Sequence, residues 1–154
     1  MSGTKKSDEQ PNVLLIVVDD MGYSDCQPFG GEIRTPVIQA PADEGVRFRN
    51  FHTSSLCAPT RSMLLSGCDD HQAGLGTMPP MHSTNQYLQP GYEGPLNKRM
   101  MTIAEVLEGE GCRTYMAGKW HLAANKGYRP EDRSFDRVLS FLGGGVAHST
   151  TIAR

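Results

Sequence analysis

The stretch "NVLLIVVDD", residues 12–20, decides how this chain is read. Six aliphatic residues in a row, Val13 to Val18, suit a strand buried on both faces, the pattern of parallel sheets covered by helices. The run stops at two aspartates, where such a strand leaves the sheet. A Gly/Pro-rich loop, "YSDCQPFGGEIRTP", follows. Thr35 and Pro36 then have the chemistry of a helix N-cap and first turn, and Gly45 that of a stop. Pro41 falls inside that helix, where it costs about 3 kcal/mol or imposes a kink.

Farther along, "VRFRNFH" (Val46–His52) alternates apolar and polar residues and reads as a half-buried strand. "APTRSMLLSG" is a short helix closed by Gly67. "MTIAEVLEGEGC" is the clearest helix: Thr102 and Glu105 have capping-box spacing, and Ile103, Val106 and Leu107 form its apolar stripe. "CRTYMAG" (Cys112–Gly118) is the next strand, with "KWHLAANKGYRP" as the loop after it. Between Gly67 and Met101 periodicity fades, as in loops that carry function. Strands alternating with helices give an α/β class with a mainly parallel central sheet flanked by helices.

Bulk properties set the outer bounds. The 154 residues suffice for one domain with a core, with 38% apolar and 21% charged residues. A formal charge of −2 gives no electrostatic case for nucleic acid or an anionic membrane surface. No apolar run approaches the roughly 20 residues of a spanning helix. Residues 1–10 read as a disordered leader without a secretory h-region, so the expectation is a cytoplasmic location. The four cysteines have no C-x-x-C spacing; Cys26, Cys68 and Cys112 read as packed small hydrophobes.

Ligands of open α/β sheets bind beyond the carboxyl ends of the strands. Three polar clusters are placed at such ends. The adjacent carboxylates of Asp19 and Asp20 repel each other unless a cation lies between them, and hard divalent cations take oxygen ligands. A solvated turn explains the same pair. Cys57 opens a helix, where free N–H groups favour an anion, and Arg61 lies one turn later on the same face. A structural cysteine beside a surface arginine is the plain alternative. Lys119 and His121 flank Trp120 and, if extended, face one side together, as a charge stabiliser and a proton donor. A snorkelling lysine and a packed histidine would give the same letters.

Taken together, the three clusters resemble the sulfatase family. Cys57-Ala58-Pro59-Thr60-Arg61 matches its C-x-P-x-R signature. Asp19-Asp20-Met21-Gly22-Tyr23-Ser24-Asp25 matches its opening D-D-x-G-x-x-D, and Gly118–His121 its G-K-W-H segment. "SMLLSG" with His71 and Gly74, and "EGVRFRNFH", also look like family sequence, while "FGGEIRTP" and "GYEGPLNKR" are similar to the bacterial arylsulfatase branch. The resemblance runs from about Pro11 to about Gly145. It implies the N-terminal part of an alkaline-phosphatase-like sulfatase fold over residues 11–154.

By that resemblance Cys57 is oxidised by a formylglycine-generating or related maturase to an aldehyde, whose hydrate attacks the sulfur of a small-molecule sulfate ester. Asp19, Asp20 and the modified Cys57 are then ligands of a divalent cation, usually Ca²⁺. Arg61 stabilises the hydrate and the metal site, Lys119 contacts the sulfate, and His121 holds or deprotonates the hydrate. The implied activity is sulfuric ester hydrolysis, arylsulfatase-like. The family's later Asp-Asn pair and further His and Lys have no match here, and His148 takes none of those roles. For the isolated 154-residue chain the expectation is therefore little or no catalysis and marginal folding. Two other readings stay open: a non-catalytic remnant of a sulfatase, and a phosphate or phosphonate ester hydrolase using the same nucleophile.

Overall fold

The computed structural model describes residues 11–145. The leader (1–10) and His148 lie outside them. The chain divides between Arg47 and Phe48 into two compact units.

In the first unit two single-turn 3-10 helices, Tyr23–Asp25 and Gln27–Phe29, precede helix α1, Pro36–Glu44. Tyr23 and Phe29 pack ring to ring at 4.6 Å. Thr35 precedes α1, but its hydroxyl does not cap the helix. It accepts the Gln27 N–H at 3.0 Å while Gln27 Oε1 accepts the Thr35 N–H at 3.3 Å, which ties the loop to the helix start. Pro41 is accommodated within α1, and no residue of this helix is buried. Water can therefore satisfy the carbonyl that Pro41 leaves without a donor, which lowers the cost of a proline there.

The expected strand at residues 12–18 is not formed. Those residues have no ladder partner among the described residues, and Val13, Leu14 and Ile16 are exposed. A parallel strand is stable only with neighbours that take its N–H and C=O groups and cover its faces. The apolar run records a preference for burial that these residues do not meet by themselves. Val46–His52 is likewise not a strand: Phe48 and Phe51 are exposed and lean on each other at 6.4 Å.

The second unit holds the core. Helix α2 is Cys57–Ser66, and Gly67 ends it at φ 67 with its N–H on the Met63 carbonyl, a left-handed stop that glycine adopts without a Cβ penalty. Helix α3 is Ile103–Gly109. Its capping box is formed: Thr102 Oγ1 accepts the Glu105 N–H at 3.2 Å, and Glu105 Oε2 accepts the Thr102 N–H at 2.5 Å. Strands β1, Tyr115–Lys119, and β2, Arg137–Phe141, pair in parallel with Tyr115 opposite Arg137 and Lys119 opposite Phe141. The fold class is α/β, as expected, and the parallel pairing is present.

β1 begins three residues later than expected because Thr114 is engaged in a side-chain clamp. Its N–H bonds Asp136 Oδ2 at 2.8 Å, and Asp136 returns its own N–H to the Thr114 carbonyl at 2.8 Å. This clamp sets the register of β1 against β2. Ala58, Ala73, Leu75, Leu96, Trp120 and Leu122 make the buried cluster, with Met78, Met116 and Phe135 packed against it. Arg133 is buried alongside and fully engaged. It reaches Glu105 Oε1 at 2.9 Å, the Leu96 carbonyl at 3.1 Å and the Met100 carbonyl. That one side chain joins α3 to the long loop 67–101. No helix among the described residues is long and apolar enough to cross a membrane.

Candidate active site

Cys57 is the first residue of α2, half-buried, and its Sγ lies 3.3 Å from His121 Nδ1. Helix position alone does not bring the histidine there. β1 ends at Lys119, and the chain then follows the end of β2, with the Trp120 N–H on the Phe141 carbonyl at 3.0 Å and the His121 N–H on the Leu142 carbonyl at 3.3 Å. His121 itself takes φ 56. The extended alternation expected for Lys119 and His121 therefore breaks at His121, and a left-handed turn aims the ring at Cys57. Gly118 also has positive φ, 107, which accounts for a glycine at the head of the segment.

Behind the turn, Trp120 is fully buried, donates its Nε1–H to the Tyr128 carbonyl at 3.0 Å and meets the Phe135 ring edge-on. A large anchored ring between Lys119 and His121 fixes where both neighbours start. Gly144 lies against the imidazole: a Cβ on Gly144 would sit 2.6 Å from His121 Cε1 and Nε2. Glycine at that position is a condition for the observed ring placement.

Arg61 lies one turn along α2, as its spacing from Cys57 requires. Its Nε–H bonds the Trp120 carbonyl at 3.0 Å and its Nη2 bonds the Lys119 carbonyl. In the sequence reading Arg61 faced an anion beside Cys57. In the structure its guanidinium fork grips two successive backbone carbonyls of the segment that carries Lys119 and His121, a task suited to its planar donor array. The arginine thus sets the distance between α2 and that segment. Thr60, between them, donates its hydroxyl to the Ser54 carbonyl at 2.9 Å and secures the loop entering the helix.

Met78 is a contact that sequence reading missed. Its Sδ is 3.6 Å from Cys57 Sγ, on the side of the long loop. The low periodicity of 67–101 marked the loop, but no local pattern singles out this methionine. The same loop is pinned by His71, whose Nδ1 meets Asp70 Oδ1 at 2.7 Å and whose Nε2 meets the Tyr92 hydroxyl at 3.0 Å.

Asp19 and Asp20 belong to the first unit, where both are exposed and Asp20 has φ 54. Asp25, the third acid of that motif, is used locally: its Oδ2 accepts the Gly22 N–H at 2.6 Å. Carboxylate oxygens are the donors a hard cation selects, so the chemistry of Asp19 and Asp20 fits Ca²⁺. Their number does not complete its shell of about six to eight ligands. Cys57 as a thiol is a soft donor and does not fit Ca²⁺. None of the four cysteines forms a disulfide among the described residues; Cys26 is buried as expected, while Cys68 and Cys112 are only half-buried.

Comparison with known proteins agrees with this geometry. The sulfatase family model matches residues 11–150. An arylsulfatase of Klebsiella aerogenes is 49% identical over 140 residues, covering 91% of this chain and 30% of the relative. An uncharacterised sulfatase of Schizosaccharomyces pombe is also 49% identical, over 145 residues and 26% of its length. The chain thus spans less than a third of these relatives. Among solved structures, Ps i-CgsB superposes with a TM-score of 0.77 at 30% identity, over 88% of this chain and 29% of that one. With the family model matched over residues 11–150, the C-x-P-x-R motif at the start of α2 and the G-K-W-H segment folded against it, the chain belongs to the sulfatase family.

Proposed function

We propose that these residues form the nucleophile end of a sulfuric ester hydrolase acting on aryl sulfates, with Cys57 as the precursor of a formylglycine. The observation that carries the reading is the meeting of Cys57 Sγ and His121 Nδ1 at 3.3 Å, within the C-x-P-x-R signature whose Arg61 holds the histidine's own segment. A maturase is the implied partner, since the aldehyde requires oxidation of the thiol. Addition of water to the formylglycine aldehyde gives a hydrate whose hydroxyl is the nucleophilic oxygen, a group the unmodified cysteine thiol does not carry.

Within that reading His121 orients or deprotonates the group at position 57, because its Nδ1 lies 3.3 Å from Cys57 Sγ. Lys119 provides positive charge for the sulfate oxygens. Arg61 acts chiefly by position, setting the spacing between the helix and the Lys119–His121 segment. Asp19 and Asp20 would hold a divalent cation, Ca²⁺ by donor chemistry, which supplies Lewis-acid polarisation of a sulfate oxygen.

The test uses the full-length protein carrying this sequence, co-produced with a maturase, and compares release of a phenol from its sulfate and its phosphate ester. Preferred turnover of the sulfate, abolished by Cys57→Ala, is the expected result. Preferred turnover of the phosphate would assign a phosphoesterase instead. Activity retained in Cys57→Ala would remove Cys57 from the chemistry.

A further inference from the structure

At the start of α2 a thioether and an imidazole from two other segments lie against the Cys57 thiol. Cys57 Sγ comes from the helix, Met78 Sδ from the long loop and His121 Nδ1 from the turn after β1, with separations of 3.6 Å from sulfur to sulfur and 3.3 Å from sulfur to nitrogen. We infer that the unconverted, thiol form of the chain binds a single Cu(I) ion through Cys57, Met78 and His121.

The distances favour a shared ion. Metal–sulfur bonds of about 2.3 Å and metal–nitrogen bonds of about 2.0 Å at open angles place two ligand atoms of one metal roughly 3.5–4 Å apart. The two separations measured from Cys57 Sγ lie at or just under that range. Ligand type narrows the ion. A thiolate and a thioether select soft cations, and imidazole accepts copper equally. No carboxylate is in the set, which disfavours Ca²⁺ and Mg²⁺. Charge narrows it again: one thiolate with two neutral ligands balances a monovalent cation, so the half-buried ligand set gains no net charge on binding. Binding is not a redox step; the thiol proton is released to buffer as the Cu–S bond forms.

The site is built rather than incidental. His121 is held by its N–H on the Leu142 carbonyl and by Gly144 against its ring. Met78 packs on the buried cluster, and its carbonyl accepts the Met81 N–H at 2.7 Å. A bound ion covers the sulfur that a maturase would have to reach, so occupancy and conversion exclude each other. The inference does not rest on the proposed hydrolase activity, since only the thiol has this sulfur to offer.

The experiment is an anaerobic titration of the reduced, unconverted chain with Cu(I), buffered by a competing chelator such as bathocuproine disulfonate. Because other cysteines also attract copper, the native chain is compared with Cys57→Ala, and the comparison is repeated with Cys26→Ala, Cys68→Ser and Cys112→Ser combined. One equivalent should disappear with Cys57→Ala in both backgrounds. Met78→Leu, a volume-conserving change, should weaken that equivalent at least about tenfold, as should His121→Ala, in keeping with the sensitivity of metal affinity to lost partners. Protein carrying the aldehyde at position 57 should lack it. Unchanged stoichiometry in Cys57→Ala, or unchanged affinity in both Met78→Leu and His121→Ala, would overturn the site. If the unconverted thiol chain shows no such equivalent, while separately produced maturase-treated protein carries the aldehyde at Cys57, this inference fails and the hydrolase reading stands.

Discussion

Arg61→Lys is the substitution that most sharply tests how the site is assembled. It keeps the charge and most of the length but removes the fork that binds the Trp120 and Lys119 carbonyls. A hydrogen bond from a charged donor contributes about 1.5–3 kcal/mol, and an ammonium can retain one of the two. The expected loss is therefore about 2 kcal/mol. At a urea slope of about 2 kcal/mol per M, this lowers the unfolding midpoint by about 1 M. Hydrogen exchange should show where the loss is felt. Amides of Trp120 and His121, whose carbonyl partners lie on the end of β2, should exchange faster, while those of α3 should not. A midpoint within about 0.2 M of the native value, below what one lost hydrogen bond would give, would refute the idea that Arg61 clamps this segment.

Three further outcomes follow from the same contacts. Arg133→Met should destabilise by about 3–5 kcal/mol, because it leaves Glu105 and the Leu96 and Met100 carbonyls without their buried donor; thermal unfolding measures it, and a change under about 1 kcal/mol would contradict the assigned role. Burial pushes the Glu105 carboxyl up, but hydrogen bonds from Arg133 and the Thr102 N–H, with the Arg133 charge, outweigh it and hold it below its ordinary value of 4.5. Its contribution is therefore present above that value and lost as pH falls through the lower folded value, so unfolding midpoints should drop on acidification below about 4.5 and drop less in Glu105→Gln. Gly144→Ala should displace the His121 ring, since the new Cβ would meet it at 2.6 Å; the His121 imidazole NMR signals should shift, and unchanged signals would show that the turn has room to give.

Local chemistry was the legible part of this chain. The Thr102–Glu105 capping box, the Gly67 stop and the Cys57–Arg61 spacing each involve groups within one or two helical turns, and all three appear as read. Strands were harder, because a strand exists only through its partner. Val13–Val18 has the stronger strand composition and finds no ladder partner among the described residues, whereas "RVLSF" at 137–141 passes unnoticed in the sequence and forms β2. Thr114 and Asp136, which fix that pairing, lie 22 residues apart.

The site divides along the same line. Cys57 and Arg61 declare themselves by spacing, but Met78 reaches the sulfur from 21 residues away and His121 from 64. Even the role of Arg61 needed the fold: its partners are backbone carbonyls, which no side-chain pattern encodes. Resemblance supplied what local periodicity did not, because three motifs in order imply a common arrangement without describing its contacts.

The central claim, that Cys57 is the precursor of a sulfatase nucleophile, is tested most directly by one mass measurement. Trypsin cleavage of the protein from its native host, after Arg49 and Arg61, isolates Asn50–Arg61 with Cys57 inside. The account predicts a peptide mass corresponding to an aldehyde in place of the thiol and reactive toward a hydrazide. A peptide found only with an intact, alkylatable thiol would contradict it.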